Sequence, residues 1–164
     1  MIGPMRRVGI PVAAIIDLEA LDDRRRTNWP RVLAACQVPS DRQAWLEAER
    51  AYIKGVIDGI ADGHNRIKIE GVDIFGDADK QRATHLFDAY AAYGLFLVPV
   101  GELERWLKPM GGMKHGPPWV VDLFRRIGQD ETDTDYVRPG NGDVWEFLDS
   151  IAAWLEDPTR LGVA

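Results

Sequence analysis

The segment from Gly9 to Glu19 constrains the fold most, because a short apolar run there ends directly in two acids, Asp17 and Glu19. A run of this length that is rich in Val, Ile and small residues predicts a strand buried on both faces. Residues two apart on an extended chain point to the same side, so both acids would project together from the carboxyl end of the strand. Ligands of open α/β sheets bind at that end, and paired acids there indicate a site for a hard cation such as Mg²⁺. The simpler alternative makes Asp17 a turn residue and Glu19 a solvated side chain.

A second apolar run, Leu95 to Val100, follows a predicted helix and Gly94, and is itself followed by Glu102 and Glu104. The order helix, glycine, strand predicts a second strand parallel to the first. The carboxyl ends of parallel strands meet at one edge of the sheet, so four carboxylates would converge there. Carboxylates at that density repel one another unless a cation lies between them, which strengthens the prediction of a metal site.

The rest of the chain predicts mainly helices. Thr27 or Asn28 can cap a short helix, and the longest helix begins at Ser40 and ends near Gly63. Alternation over residues 66–70 predicts a short edge strand.

Two more helices are predicted towards the C-terminus. Asp77 and Asp79 read as N-terminal caps of a helix over about Lys80 to Tyr93, in preference to a second acid pair. An apolar stripe after Asp143 predicts an amphipathic last helix.

The chain has 164 residues, enough for one domain with its own core. Residues 1–8 show no periodicity and are predicted to be a lead-in or linker. Residues 9–164 are predicted to form a single α/β domain with a small parallel sheet flanked by helices. Within it, residues 128–164 are predicted to form a polar loop followed by a helical extension. The single cysteine, Cys36, excludes a disulfide framework and, with no membrane-length apolar run, favours a reducing cytoplasm.

The net charge of −6 counts against a stand-alone nucleic-acid binder, which is usually basic. It does not count against a metal-dependent nuclease, whose site concentrates carboxylates and whose basic surface can come from a partner. Arg24, Arg25 and Arg26 form either a solvated loop or a contact to a phosphate backbone, and Lys114 is a further cation able to approach the acids. Phosphate-binding glycine loops and nucleophile elbows are absent, and His64, His85 and His115 lack metal-ligand spacing.

The segments from Gly9 to Leu21 and from Val98 to Leu107, together with Lys114 and Trp119–Val120, resemble the C-terminal Toprim portion of OLD-family (overcoming lysogenization defect) proteins. Those proteins join an ABC-type ATPase to a Toprim nuclease. The resemblance implies an endonuclease that depends on Mg²⁺ or Mn²⁺, cuts DNA or RNA, and works with an ATPase domain in cis or in trans.

The resemblance also implies residue roles. Asp17 and Glu19 would replace the family's Asp-x-Asp metal ligands, Glu102 or Glu104 would add a further carboxylate, and Lys114 would stabilise the developing phosphate charge. Glu19 stands where the family has aspartate, and the family's earlier strand with its glutamate has no counterpart before Gly9. The alternative is therefore a catalytically inactive Toprim-like interaction domain that binds a partner or itself. A phosphotransferase with Asp17 as nucleophile is a third alternative, and the Thr/Ser and Lys that it needs are not supplied convincingly.

Overall fold

The structure is a computed structural model that describes residues 2–22, 27–107, 132, 134 and 143–164. It is a mixed α/β structure in which helices surround a small parallel sheet, as the sequence predicts at that level. The strands are β1 (Ala14–Asp17) and β2 (Leu95–Val98). The helices are α1 (Ile2–Arg6), α2 (Trp29–Ala35), α3 (Ser40–Gly59), α4 (Gly63–Glu70), α5 (Asp77–Ala91), α6 (Glu104–Leu107) and α7 (Asp143–Glu156), with 3₁₀ turns at Leu18–Leu21 and Gly71–Ile74.

The two strands pair in parallel, which confirms the predicted orientation. The register places Ala14 opposite Leu95 and Asp17 opposite Val98. The residues of β2 are buried throughout, which explains its continuous apolar run. The prediction that β1 is buried on both faces is wrong, because only Ala14 is buried and Ile15 is 48% exposed. Both strands therefore end at the same edge of the sheet.

Helices α2, α3 and α5 form the main core beside the sheet. Trp29 is almost fully buried and stacks on Tyr90, with ring centroids 5.3 Å apart. The Asn28 side chain accepts a hydrogen bond from the Arg31 amide at 3.0 Å, which confirms Asn28 as the cap of α2. Helix α3 begins at Ser40 as predicted, although Pro39 occupies the capping position.

The predicted edge strand over residues 66–70 is wrong, because these residues belong to helix α4. The five-residue alternation also fits one helical turn. Arg66 and Glu70 form an i,i+4 ion pair with Nε 2.7 Å from Oε1, while Ile67 is buried and Ile69 is 60% exposed. A short alternating segment thus gave the wrong period, and the error matters because α4 carries side chains to the candidate site.

The N-terminal residues assigned to a lead-in include a packed element, helix α1. The Arg6 side chain is fully buried, and its guanidinium donates hydrogen bonds to backbone carbonyls that include those of Val12, Tyr93 and Gly94. It also lies 4.9 Å from the centre of the Trp154 ring. Arg6 therefore links the segment that precedes β1, the residues that follow α5 and the last helix.

The amphipathic last helix is observed as α7. Phe147, Ile151 and Trp154 pack against Phe96 of β2, and the Trp154 indole donates to the Ala92 carbonyl at 3.1 Å. Among the described residues, each helix is too short or too polar to cross a membrane.

Candidate functional site: an acidic sheet edge and a histidine cluster

Four acidic residues lie at or just after the carboxyl ends of β1 and β2, at one edge of the sheet that we call the acidic edge: Asp17, Glu19, Glu102 and Glu104. The backbone joins the two acidic segments directly, since the Leu18 amide donates a hydrogen bond to the Gly101 carbonyl at 2.9 Å. Asp17 and Glu19 flank the donor residue, and Glu102 follows the acceptor. The structure thus brings the acids after β1 next to those after β2.

The end of helix α4 closes against the turn that follows β2. Gly101 has a φ of +106° and packs on the backbone carbonyls of Ile67 and Lys68, where a Cβ atom would clash. The Val72 amide donates to the Pro99 carbonyl at 2.9 Å. Because the backbone of α4 approaches this closely, Lys68 reaches the acidic edge.

Lys68 supplies a positive charge to the acidic edge. Glu19 is only 5% exposed, and the Lys68 ammonium lies 2.6 Å from its Oε2 atom. A buried carboxylate needs such a partner, because desolvation penalises its charged form. Sequence reasoning missed Lys68 because it placed this residue on a strand, whereas a helical reading of residues 66–70 would have set Lys68 one turn after His64 on the same face.

The electrostatics of Glu102 reflect the charges around it. Its pKa is raised, first by burial and then by repulsion from Glu19 and Glu104, with a smaller contribution from Asp17; Lys68 acts in the opposite direction. The acidic edge therefore carries more negative charge than Lys68 balances, and its protein ligands are all carboxylate oxygens. That donor set fits Mg²⁺ or Mn²⁺.

The basic residues predicted to contact nucleic acid lie outside the described residues. These are Arg24, Arg25 and Arg26, which precede α2 in the sequence, and Lys114, which follows α6. Their roles stay predictions.

A second group of side chains could hold a metal ion, and we call it the histidine cluster: Asp22, Asp58 and His64. His64 Nδ1 is 2.6 Å from Asp22 Oδ2, and His64 Nε2 is 3.4 Å from Asp58 Oδ1. Within the described parts of the chain, this is the set of three whose ligand atoms all lie within 4.8 Å of one another. The four acids of the acidic edge are not grouped as tightly.

The three members of the histidine cluster come from separate elements, which is why sequence spacing did not reveal them. Asp22 follows the 3₁₀ turn after β1, Asp58 is near the end of α3, and His64 is in the first turn of α4. The tight reversal at Asp62, whose φ is +54°, brings the ends of α3 and α4 together. The local signal was an aspartate six residues before a histidine, across a predicted helix end.

No protein-family model, curated protein or solved structure matches this chain. The fold and site define a mixed α/β protein with a carboxylate-rich edge at the ends of two parallel strands.

Proposed function

We propose that this chain is a metal-dependent phosphodiesterase domain that cleaves nucleic acid at the acidic edge, similar to the Toprim nuclease portion of OLD-family proteins. The observation that carries the proposal is the hydrogen bond from the Leu18 amide to the Gly101 carbonyl, at 2.9 Å. It unites the acids of two parallel strands where α/β folds bind ligands. The family relationship is supported by the residue pattern from Gly9 to Leu21 and from Val98 to Leu107.

The acidic edge would hold Mg²⁺ or Mn²⁺ through carboxylates of Asp17, Glu19, Glu102 and Glu104. When bound, the cation would supply Lewis-acid stabilisation of the phosphate and lower the pKa of a coordinated water. Asp17 pairs with Val98 across the two strands. This pairing fixes the backbone position from which the Asp17 carboxylate would bind the cation.

Positive charge near the acids would bind the phosphodiester backbone. Lys68 is placed for this role among the described residues, and Lys114 with Arg24, Arg25 and Arg26 are the sequence-based candidates. Because the chain carries a net charge of −6, we propose that a partner supplies further basic surface. An ABC-type ATPase domain, in cis or in trans, is the partner that the resemblance implies, and DNA is the first substrate to test, with RNA second.

A second function, a non-catalytic interaction domain, is favoured by one contact. The Lys68 ammonium already neutralises Glu19 at 2.6 Å, so part of the acidic edge is stable without a cation. In this alternative the ion pair is structural, and the domain binds a partner or a second copy without cutting nucleic acid.

A plasmid-nicking assay with Mn²⁺ distinguishes the two functions. The nuclease proposal predicts relaxation of supercoiled plasmid by the wild type and a loss of at least about tenfold in Asp17→Asn and Glu104→Gln, since these replacements keep side-chain shape and remove metal ligands. Glu156→Gln is the matched control, because Glu156 is an exposed glutamate on α7. Equal nicking by all variants, or none by the wild type with Mn²⁺ and either DNA or RNA, contradicts the nuclease proposal.

A further inference from the structure

The imidazole of His64 lies between two carboxylates on opposite sides of the ring, and its two contacts differ in length. Nδ1 is 2.6 Å from Asp22 Oδ2, a hydrogen-bond distance, whereas Nε2 is 3.4 Å from Asp58 Oδ1. An ionised carboxylate can only accept hydrogen bonds. Asp22 can therefore form this hydrogen bond only when Nδ1 carries a proton. In the neutral ring Nε2 then carries no proton, and its lone pair is directed towards Asp58.

A lone pair and a carboxylate oxygen repel unless something positive lies between them. Either a second proton on Nε2 or a metal cation satisfies this requirement. The distance between Nε2 and Asp58 Oδ1 distinguishes a proton from a metal cation. Two ligand atoms that each lie about 2.1 Å from one tetrahedral Zn²⁺ are about 3.4 Å apart. The observed 3.4 Å from Nε2 to Asp58 Oδ1 matches that value and is long for a charge-assisted hydrogen bond, which is typically about 2.8 Å.

The surroundings of His64 match those of metal-binding histidines. Such histidines donate their other ring N–H to a carboxylate, which fixes the tautomer and orients the ring. Asp22 is in this position and its side chain is 8% exposed, so the orienting contact is buried. The Asp58 side chain is 42% exposed, so the ligand side faces solvent, from which water can complete the coordination. Lys54 lies 2.6 Å from the other oxygen of Asp58, Oδ2, and holds that carboxylate in place.

We infer that His64 and Asp58 form a Zn²⁺ site, with Nε2 and Oδ1 as ligands and Asp22 as the residue that positions the imidazole. This site is distinct from the acidic edge in donor type, since it offers nitrogen as well as oxygen. Imidazole nitrogen favours Zn²⁺, whereas a site of oxygen ligands alone favours Mg²⁺ or Mn²⁺. A Zn²⁺ ion here would join the end of α3 to the start of α4 and, through Asp22, to the turn after β1.

Isothermal titration of the full chain with Zn²⁺, after treatment with a chelator, tests the inference. The His64→Asn variant is informative because the asparagine amide can replace Nδ1 as a donor to Asp22 but supplies nothing at the Nε2 position. We expect saturable binding to the wild type, and His64→Asn and Asp58→Asn should each lose one equivalent of bound Zn²⁺, since the acidic edge can also bind this ion. Asp22→Asn should weaken binding by about tenfold or more while leaving both ligands in place. His85→Asn is the matched control, because His85 is exposed on α5, and it should bind Zn²⁺ as the wild type does.

The position of the Nδ1 proton provides a second readout. In ¹⁵N spectra of the histidine rings, Zn²⁺ should shift the His64 Nε2 resonance and leave Nδ1 protonated, and Asp22→Asn should reduce the preference for that tautomer. Absence of Zn²⁺ binding by the wild type, or binding that His64→Asn leaves unchanged, overturns the inference and leaves a protonated imidazole between two carboxylates. Asp17→Asn should leave the Zn²⁺-induced shift of the His64 Nε2 resonance unchanged, so failure here is distinguishable from failure of the proposed nuclease site.

Discussion

Replacing Lys68 by methionine removes the positive charge that faces the buried carboxylate of Glu19. The two groups are 2.6 Å apart, Glu19 is 5% exposed, and the Lys68 side chain is 33% exposed. Breaking a fully buried ion pair costs about 3–5 kcal/mol, and the partial exposure of Lys68 lowers this to about 2 kcal/mol. For a chain of this size that loss lowers the Tm by about 4–8 °C. The methionine retains the aliphatic stem, so the change reports mainly on charge.

Thermal unfolding followed by circular dichroism measures this effect, and Lys80→Met is the matched control. Lys80 pairs with Asp73 at 2.7 Å, but the two side chains are 45% and 59% exposed, so the pair should contribute less than about 1 kcal/mol. If Lys68→Met is no more destabilising than Lys80→Met, the Glu19 carboxylate does not depend on Lys68 and our description of the acidic edge is wrong.

Mn²⁺ provides a second readout of the same variant. Lys68→Met leaves the acidic edge more negative, so Mn²⁺ should raise the Tm of this variant more than that of the wild type. An equal Mn²⁺-induced rise in Tm for both proteins would show that the cation does not bind at the acidic edge next to Lys68.

Three further substitutions test other parts of the structure. Because the pKa of Glu102 is raised in the folded state, its ionisation costs stability as the pH rises above the unfolded value of about 4.3. Glu102→Gln should therefore raise the Tm at pH 7 and leave it unchanged near pH 3. An unchanged Tm at pH 7 would refute the claim that burial and the neighbouring acids disfavour ionised Glu102. Gly101→Ala should lower the free energy of unfolding in urea by more than about 1 kcal/mol, because alanine is strained at a φ of +106° and its Cβ would clash with carbonyls of α4. An unchanged free energy of unfolding would contradict the close packing of α4 on this turn. Arg6→Met leaves buried carbonyls unpaired and should cost several kcal/mol, and a cost under about 1 kcal/mol would show that Arg6 is not an organising contact.

The parts of the fold that the sequence predicted are those governed by local pattern. The apolar runs that end in Asp17 and precede Glu102 were predicted as strands and are strands in the structure. Their parallel orientation was predicted from the order helix, glycine, strand around Gly94. Thr27 or Asn28 was predicted to cap α2 from residue type, and the structure identifies Asn28, whose side chain accepts from the Arg31 amide. The stripe of α7 was read correctly because it extends over several turns.

The parts that were not predicted depend on contacts between distant segments. Five alternating residues could not distinguish a strand from one helical turn, so α4 was misread and Lys68 was missed. Arg6 reads as a surface charge until its carbonyl partners, many residues away, are known. Asp22 and His64 are 42 residues apart, so their pairing arises only when the ends of α3 and α4 meet the turn after β1.

The central claim is that the acidic edge binds a divalent cation, and titration of Mn²⁺ monitored by electron paramagnetic resonance tests it most directly. We predict saturable Mn²⁺ binding to the wild type, with affinity reduced at least about tenfold in Asp17→Asn and unchanged in His64→Asn. Mn²⁺ binding that Asp17→Asn leaves intact, or no saturable binding to the wild type, would contradict the claim.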